Sequence, residues 1–176
     1  MTKFWITAGI LATLVALGAS ATASDDSKRG QSRVRARLRG FDENPSISST
    51  GRGSFHAKID DEAQTIAYEL TYSGIEGGAA FVAHIHFSAQ RVNGGVVAFL
   101  CGGGGKPACP VTEGTVTGVI DAADIIGPAG QGIEPGAFEE FVAAIRAGFT
   151  YANVHSTPRW PGGEIRGQIR GEDDDH

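Results

Sequence analysis

The stretch RVRARLRG, residues 33–40, decides the fold class of this chain. Its apolar side chains, Val34, Ala36 and Leu38, alternate with arginines. Because neighbouring side chains of a β-strand point to opposite faces, the pattern predicts a strand with one buried face and one charged face. A solvated strand face accounts for these arginines, and the chain as a whole is acidic, with a formal net charge of −5. We therefore expect no nucleic-acid partner.

The same alternation recurs along the rest of the chain. Turns rich in Gly and Pro join further alternating segments at 54–60, 65–72, 79–87, 95–101, 114–120, 149–156 and 162–170. Such spacing predicts a mainly β domain, an antiparallel Greek-key-like sandwich or barrel of about eight strands. In EPGAFEEFVAAIRAG, residues 134–148, apolar residues recur instead at i, i+3, i+4 and i+7. That period predicts one amphipathic helix near residues 136–147.

The N-terminal residues have the layout of a secretory signal peptide. Lys3 precedes an apolar run at 4–20, and Ala21 and Ala23 have the spacing of a cleavage site. This layout predicts that residues 1–23 are removed and that the protein is secreted or periplasmic, without a membrane segment after cleavage. The alternative is an uncleaved anchor, because the run approaches the ~20 residues that a bilayer requires.

The chain contains two cysteines, Cys101 and Cys109. An even number of cysteines in an exported protein predicts a disulfide bond. The alternative is a pair of free thiols, which an oxidising compartment disfavours.

Two histidines, His84 and His86, share one face of the predicted strand FVAHIHF. Their Cα atoms would lie roughly 6.6 Å apart. His155 ends another predicted strand, on the face that it shares with Tyr151 and Asn153. If these strands are neighbours, three imidazoles could converge on one ion with their nitrogens about 4 Å apart.

Imidazole ligands without thiolates suit copper or zinc, and binding should weaken as the pH falls through about 6.5. The alternative is that the histidines are hydrogen-bonding groups facing water or a polar cleft. In either case we expect Phe81, Ala83, Ile85 and Phe87 to face the core. We expect Glu164 and Arg166 to form an outward, ion-paired strand face.

The segments AHIHFSAQRVNGGVVAFLC (83–101) and GFTYANVHSTPRWPGGEIRGQI (148–169) resemble the chordin-type domain, CHRD. The family pattern has an H-x-H strand, a Gly-containing turn and an apolar strand. It closes with Y-x-N-V-H, a Pro-Gly turn and G-E-I-R-G-Q. Its closing motif is matched here by the structural-motif residues Asn153, Gly163, Glu164, Arg166 and Gly167.

The CHRD resemblance implies one β-rich domain over residues 32–170. The charged residues near the two chain ends predict a flexible segment at 24–31 and an acidic disordered tail at 171–176. The family occurs as repeats in chordin, an extracellular antagonist of bone morphogenetic proteins, and as single-domain bacterial proteins without a settled activity. This chain lacks the cysteine-rich modules of chordin, so the growth-factor role is not carried over. The resemblance implies a non-catalytic binding or structural module in the cell envelope or outside the cell, whose ligand is unknown.

A second resemblance, at the level of architecture, is to copper-zinc superoxide dismutase. That family also has H-x-H on a strand of a Greek-key barrel and a distant third histidine that binds copper. Only His84, His86 and His155 have counterparts here, and the sequence has no clear metal-bridging histidine or zinc-binding loop. The resemblance implies a copper-like site, and the missing counterparts argue against dismutase activity. We do not expect an enzyme, and a redox or hydrolytic enzyme is the weaker alternative.

Overall fold

Antiparallel strands form one sheet in the described part of the chain, which is residue 1 and residues 31–172 of a computed structural model. In chain order, the strands of this part are β1 (Gln31–Arg39), β2 (Arg52–Asp60), β3 (Thr65–Ser73), β4 (Gly78–Phe87), β5 (Gly95–Cys101), β6 (Gly114–Ile120), β7 (Thr150–Pro158), β8 (Trp160–Gln168) and β9 (Arg170–Gly171). One α-helix of this part, α1 (Phe138–Arg146), lies between β6 and β7.

Several sequence predictions fall outside these residues. Positions 2–23 of the predicted signal peptide, positions 24–30 of the predicted flexible segment and positions 173–176 of the predicted tail are not described. Over residues 31–172, the structure contains no helix with the length and apolarity needed to cross a bilayer.

The order of the strands in the sheet differs from their order in the chain. The order is β5-β4-β7-β8-β1-β2-β3-β6, with the short β9 pairing with β1. β4 thus pairs with β7, and β3 pairs with β6, so the connections cross between sequence-distant strands as in a Greek key. The end strands β5 and β6 contact each other and nearly close the sheet into a barrel. The predicted mainly β, antiparallel, Greek-key-like fold is confirmed.

The interior of the barrel is filled by the apolar sides of the alternating strands. Leu38 of β1, Phe55 of β2 and Leu70 of β3 are each no more than 1% exposed. Burial of each such side chain contributes about 1.5–3 kcal/mol. The alternation that predicted the strands therefore also identifies the core, because it places every second side chain inside.

Helix α1 packs its apolar stripe against the same core. Phe138, Phe141, Val142 and Ile145 are all buried. The helix ends before Gly148, which has a left-handed φ of 74° and donates its N–H to the Ile145 carbonyl. A glycine adopts this conformation without the steric penalty of a Cβ. The predicted helix is confirmed.

A disulfide bond joins Cys101, at the end of β5, to Cys109 in the loop before β6. The Cα atoms of the two cysteines lie 5.1 Å apart, within the range of natural disulfides. The predicted pairing is therefore present. It closes the glycine-rich loop at 102–108.

Candidate metal centre

Three histidine side chains meet on the face of the sheet that points away from the apolar core. His84 and His86 belong to β4, and His155 belongs to the neighbouring β7. His84 Nδ1 lies 3.2 Å from His155 Nε2, and one ligand nitrogen from each of the three rings lies within 4.8 Å of the others. The distance between the His84 and His155 nitrogens is within the predicted 4 Å, whereas the 4.8 Å limit for all three nitrogens is slightly larger than predicted. The structure therefore brings together the three histidines that the sequence singled out.

The alternation of β4 changes phase at Phe81, so the predicted core face of this strand is partly wrong. Ala80, Ala83 and Ile85 all face the core. Strict alternation would place Ala83 and Ile85 on the opposite face from Ala80, because they are three and five residues away from it. The register with β7 shifts between Ala80 and Val82, which is the signature of a β-bulge. Phe81 is consequently 42% exposed and contacts the edge of the His155 ring.

Backbone carbonyls fix which nitrogen of two rings carries the proton. His86 Nδ1 lies 3.0 Å from the Gly94 oxygen, and His155 Nδ1 lies 3.0 Å from the Pro161 oxygen. Because a carbonyl only accepts hydrogen bonds, both Nδ1 atoms are donors, and both Nε2 atoms are unprotonated acceptors. His86 Nε2 is buried and makes no hydrogen bond with the described residues. His155 Nε2 accepts the Nδ1–H of His84.

Burial keeps the three imidazoles neutral at physiological pH. It lowers the pKa of His84 to about 3, with a smaller contribution from its two histidine neighbours. It lowers the pKa of His86 to about 4, although the Gly94 carbonyl acts in the opposite direction. The pKa of His155 is also lowered by burial, against the effect of the Pro161 carbonyl. Neutral imidazole is the form that binds a metal ion.

Aromatic rings surround the cluster. The ring of Tyr151 stacks on His86 with centroids 4.7 Å apart, and the edge of Phe99 contacts His84 at the same distance. The guanidinium of Arg166 lies over the Tyr151 ring, with its Cζ 3.3 Å from the centroid. These contacts hold the His84 and His86 rings in place and exclude water from them.

Arg166 is buried beneath the β4–β5 loop, so the expected outward position of this side chain is wrong. It is 2% exposed and donates hydrogen bonds to the Val92 oxygen at 2.5 Å and to Asn93 Oδ1 at 3.1 Å. The connection between β4 and β5 is longer than a tight turn, because it spans residues 88–94 and folds back over Arg166. This longer loop provides the cover that alternation alone could not reveal.

Glu164 is also buried, at 0% exposed, which contradicts its expected outward, ion-paired position. Its carboxylate accepts four hydrogen bonds: from Ser49 Oγ at 2.6 Å, the Glu76 N–H at 2.8 Å, the Gly77 N–H at 3.0 Å and Ser156 Oγ at 2.5 Å. Since a carboxylate has about four acceptor positions, all of them are used. Glu164 therefore ties two loops to β7.

Asn153 and Gly163, two further motif residues, hold a buried glutamate that the sequence analysis missed. Asn153 Nδ2 donates to Glu43 Oε1 at 2.6 Å and to the Ile165 carbonyl at 3.0 Å. A Cβ at Gly163 would lie 2.8 Å from the side chains of both Asn153 and Glu43, which explains the glycine. Burial raises the pKa of Glu43 to about 7. Nothing in the loop sequence DENPS distinguishes Glu43 from an exposed acid.

Gly167, the last motif residue, lies where two strands come close. An added Cβ would collide with the Arg37 carbonyl of β1. The motif residues thus support the fold around the histidines, and none of Gly163, Glu164 and Gly167 belongs to the three-histidine group.

Comparison with known proteins identifies the family. The CHRD domain matches residues 34–169 of the chain. No curated protein and no solved structure matches the chain significantly. The match covers most of the sequence, and the chain belongs to the CHRD-domain family.

Proposed function

We propose that this member of the CHRD-domain family is an exported, non-catalytic module that binds one transition-metal ion through His84, His86 and His155. The observation that carries the proposal is the convergence of three neutral imidazole nitrogens within 4.8 Å of one another. Metal–nitrogen bonds are about 2.0–2.1 Å long, so small side-chain movements bring all three nitrogens to one ion.

The hydrogen bonds behind the rings support this proposal. His86 and His155 each donate Nδ1–H to a carbonyl and present Nε2 to the cluster. Metal-binding histidines commonly use their second nitrogen in this way, which fixes the ring and the tautomer. His84 presents Nδ1, and an ion there would take the place of the proton that His84 shares with His155.

The donor set favours copper, with zinc as the second candidate. Within residues 31–172, no thiolate or carboxylate joins the three-histidine group. Imidazole suits both metals, and a given nitrogen site generally binds Cu²⁺ more tightly than Zn²⁺. We therefore expect copper to displace zinc.

The proposal of a non-catalytic role rests on the polar groups nearest the histidines. Glu164 uses all its acceptor positions, and Arg166 is bound to the β4–β5 loop. Groups that are saturated by structural hydrogen bonds position their neighbours and have no lone pair or proton to offer a substrate. The module would therefore hold, carry or present the ion.

Export is part of the same proposal. The signal-peptide layout at residues 1–23 and the bond between Cys101 and Cys109 both fit an oxidising compartment. N-terminal sequencing of the mature protein should begin at Ser24. Recovery of intact Met1 in a membrane fraction would overturn export without affecting the metal site.

A module without a metal is the competing function. In that case the imidazoles would serve as a packed polar cluster, which the His84–His155 hydrogen bond also favours. The two functions differ in one measurable respect, because only the first produces tight, stoichiometric binding.

Titration of untagged, chelator-treated protein with Cu²⁺ and Zn²⁺ separates the two functions. We expect one ion per chain and at least about a hundredfold weaker binding in His86→Ala, because removal of a ligand exceeds the effect of removing its supporting hydrogen bond. The matched control is His56→Ala, which removes an exposed histidine of β2. Equal loss in both variants, or no stoichiometric binding in the wild type, would favour the metal-free module.

A further inference from the structure

The outer face of β1 and β2 carries two adjacent rows of cationic side chains. The four arginines of β1, at positions 33, 35, 37 and 39, form one row, and Lys58, His56 and Arg52 lie on the same face of β2. The register sets Arg33 opposite Lys58, Arg35 opposite His56 and Arg39 opposite Arg52. We call this surface, together with Arg170 of β9, the cationic face.

The fold itself gains nothing from this arrangement. Like charges directly opposite each other on neighbouring strands destabilise a sheet. Alternation requires only a polar residue at these positions, and uncharged polar side chains would satisfy it. The repeated positive charge therefore points to something outside the domain.

Among the described residues, the acidic side chains nearest the cationic face lie at its margins. Glu172, which follows β9, shares a hollow with Arg33 and Lys58. Asp42 binds Arg39 at 2.9 Å, and Glu69 of β3 lies opposite His56. Within residues 31–172, the side chains of Arg33, Arg37, Arg52 and Lys58 form no ion pair. Among the described residues, these four side chains therefore carry positive charge that no ion pair compensates, in an otherwise acidic protein.

The surface is also concave. A groove of about 480 Å³ is lined by Arg35, Arg37, His56 and Arg170, among others. A second hollow of about 450 Å³ adjoins it and is lined by Arg37, Arg39 and Arg52. Because both contain Arg37, the two form a continuous track along β1.

The geometry points to an acidic polysaccharide as the ligand: we propose that the cationic face binds a chain of sugars bearing carboxylate or sulfate groups. Positions two apart on a strand are separated by roughly 6.6 Å, so the row on β1 extends over roughly 20 Å. A row of this length matches a polymer with repeated charges better than a small anion. Arginine forks are suited to bidentate binding of oxyanions.

The composition of the track disfavours the other common polyanion. Single-stranded nucleic acids are bound by exposed aromatic rings that stack on the bases as well as by cations. Along the track, the aromatic side chain Tyr72 is only 1% exposed and serves the core. The inference is independent of the metal site, which lies on β4 and β7.

Binding of the purified full chain to polygalacturonate and to dextran sulfate tests this inference. Neutral dextran and a single-stranded oligonucleotide serve as reference polymers. We expect both acidic polysaccharides to bind, with affinity falling as salt rises, and neutral dextran not to bind. The carboxylated and sulfated probes show which anion is preferred, and either preference supports the proposal.

The decisive comparison is between two double variants of equal charge change. Arg37→Gln with Arg52→Gln should weaken polysaccharide binding about tenfold, since each contact at an exposed site contributes modestly. Arg91→Gln with Arg146→Gln alters two arginines outside the face and should leave binding within about twofold. Circular dichroism checks that both variants fold. Equal weakening in the two variants, stronger binding of the oligonucleotide or no binding of either acidic polymer would overturn the proposal.

Discussion

Two parts of the barrel's outer surface have the same alternating sequence pattern, but the polar side chains are exposed in one and buried in the other. On β1 and β2, the polar positions of the alternating strands remain exposed and form the cationic face. On β4, β7 and β8, the equivalent positions are buried beneath loops and form a polar layer of histidines, Asn153, Glu164 and Arg166. The difference lies in the loops, since residues 40–51, 74–77 and 88–94 cover the second region and supply its hydrogen-bond partners. The same loops contact the cationic face only at its margin, through the described bonds of Asp42 to Arg39 and Gln90 to Arg170.

This comparison shows that polar side chains at equivalent strand positions contribute very differently to stability. An exposed arginine interacts with water, and its removal changes stability little. A buried arginine or glutamate must satisfy every donor or acceptor within the protein, because an unsatisfied group costs about 1–3 kcal/mol. The buried region is therefore rigid and specific, whereas substitutions on the exposed face should have little effect on stability.

The largest expected difference is between Arg166 and Arg37. Arg166→Ala should lower the free energy of unfolding by about 3–5 kcal/mol, because it leaves a cavity and removes the donors to the β4–β5 loop. Arg37→Ala should change it by no more than about 0.5 kcal/mol. Urea denaturation measures both. Equal effects would show that the loop does not cover the sheet in solution.

The second difference concerns pH and the histidines. The pKa values of His84 and His86 fall from 6.5 to about 3 and about 4 on folding. Between these values and 6.5 the unfolded chain binds more protons, so stability decreases as the pH falls through this window. The Glu43→Gln variant removes a carboxyl whose titration has the opposite effect. In this background we expect a loss of about 2 kcal/mol for each of the two histidines, or about 4 kcal/mol in all, from pH 6.5 to 4.5.

Matched histidine variants check this assignment. His86→Gln should flatten the pH dependence of unfolding, and His56→Gln on the exposed face should not. If neither variant changes the pH dependence of unfolding, the buried histidines do not cause that dependence. The same low pKa values revise the pH dependence expected for the metal site: apo histidines remain neutral well below pH 6.5, so binding should persist to about pH 5.

The smallest expected difference comes from Glu43. Its pKa rises from 4.5 to about 7 in the folded protein, so the stability linked to it is present below 4.5 and is lost as the pH rises through 7. Glu43→Gln keeps an acceptor for Asn153 without a charge. Its stability relative to the wild type should therefore be about 2–3 kcal/mol greater at pH 8 than at pH 5. Thermal or urea unfolding at both pH values measures this. A destabilising effect at pH 8 would mean that the ionised carboxylate is favoured by its surroundings.

Much of the fold was predictable because it depends on local periodicity. Period-two alternation located the strands, and the spacing of Phe138, Phe141 and Ile145 located the helix. The bulge at Phe81 was not predictable, because a one-residue insertion in a strand leaves no mark on composition.

The sequence predicted which histidines form the candidate site, but it did not predict the buried residues that surround them. His84 and His86 share a face by alternation, and pairing of β4 with β7 brings His155 to them. The burial of Arg166 and Glu164 depends on loops whose paths only tertiary contacts determine. Glu43 was missed for the same reason, since its partner Asn153 is distant in the sequence.

The most direct test of the metal site is the crystal structure of the copper-loaded protein with anomalous data collected at the copper edge. We predict one peak about 2.0–2.1 Å from each of His84 Nδ1, His86 Nε2 and His155 Nε2. Tyr151 should remain stacked on His86, and the carbonyls of Gly94 and Pro161 should still accept the Nδ1–H bonds. Anomalous density only at other residues, or none when copper is supplied in excess, would contradict the account.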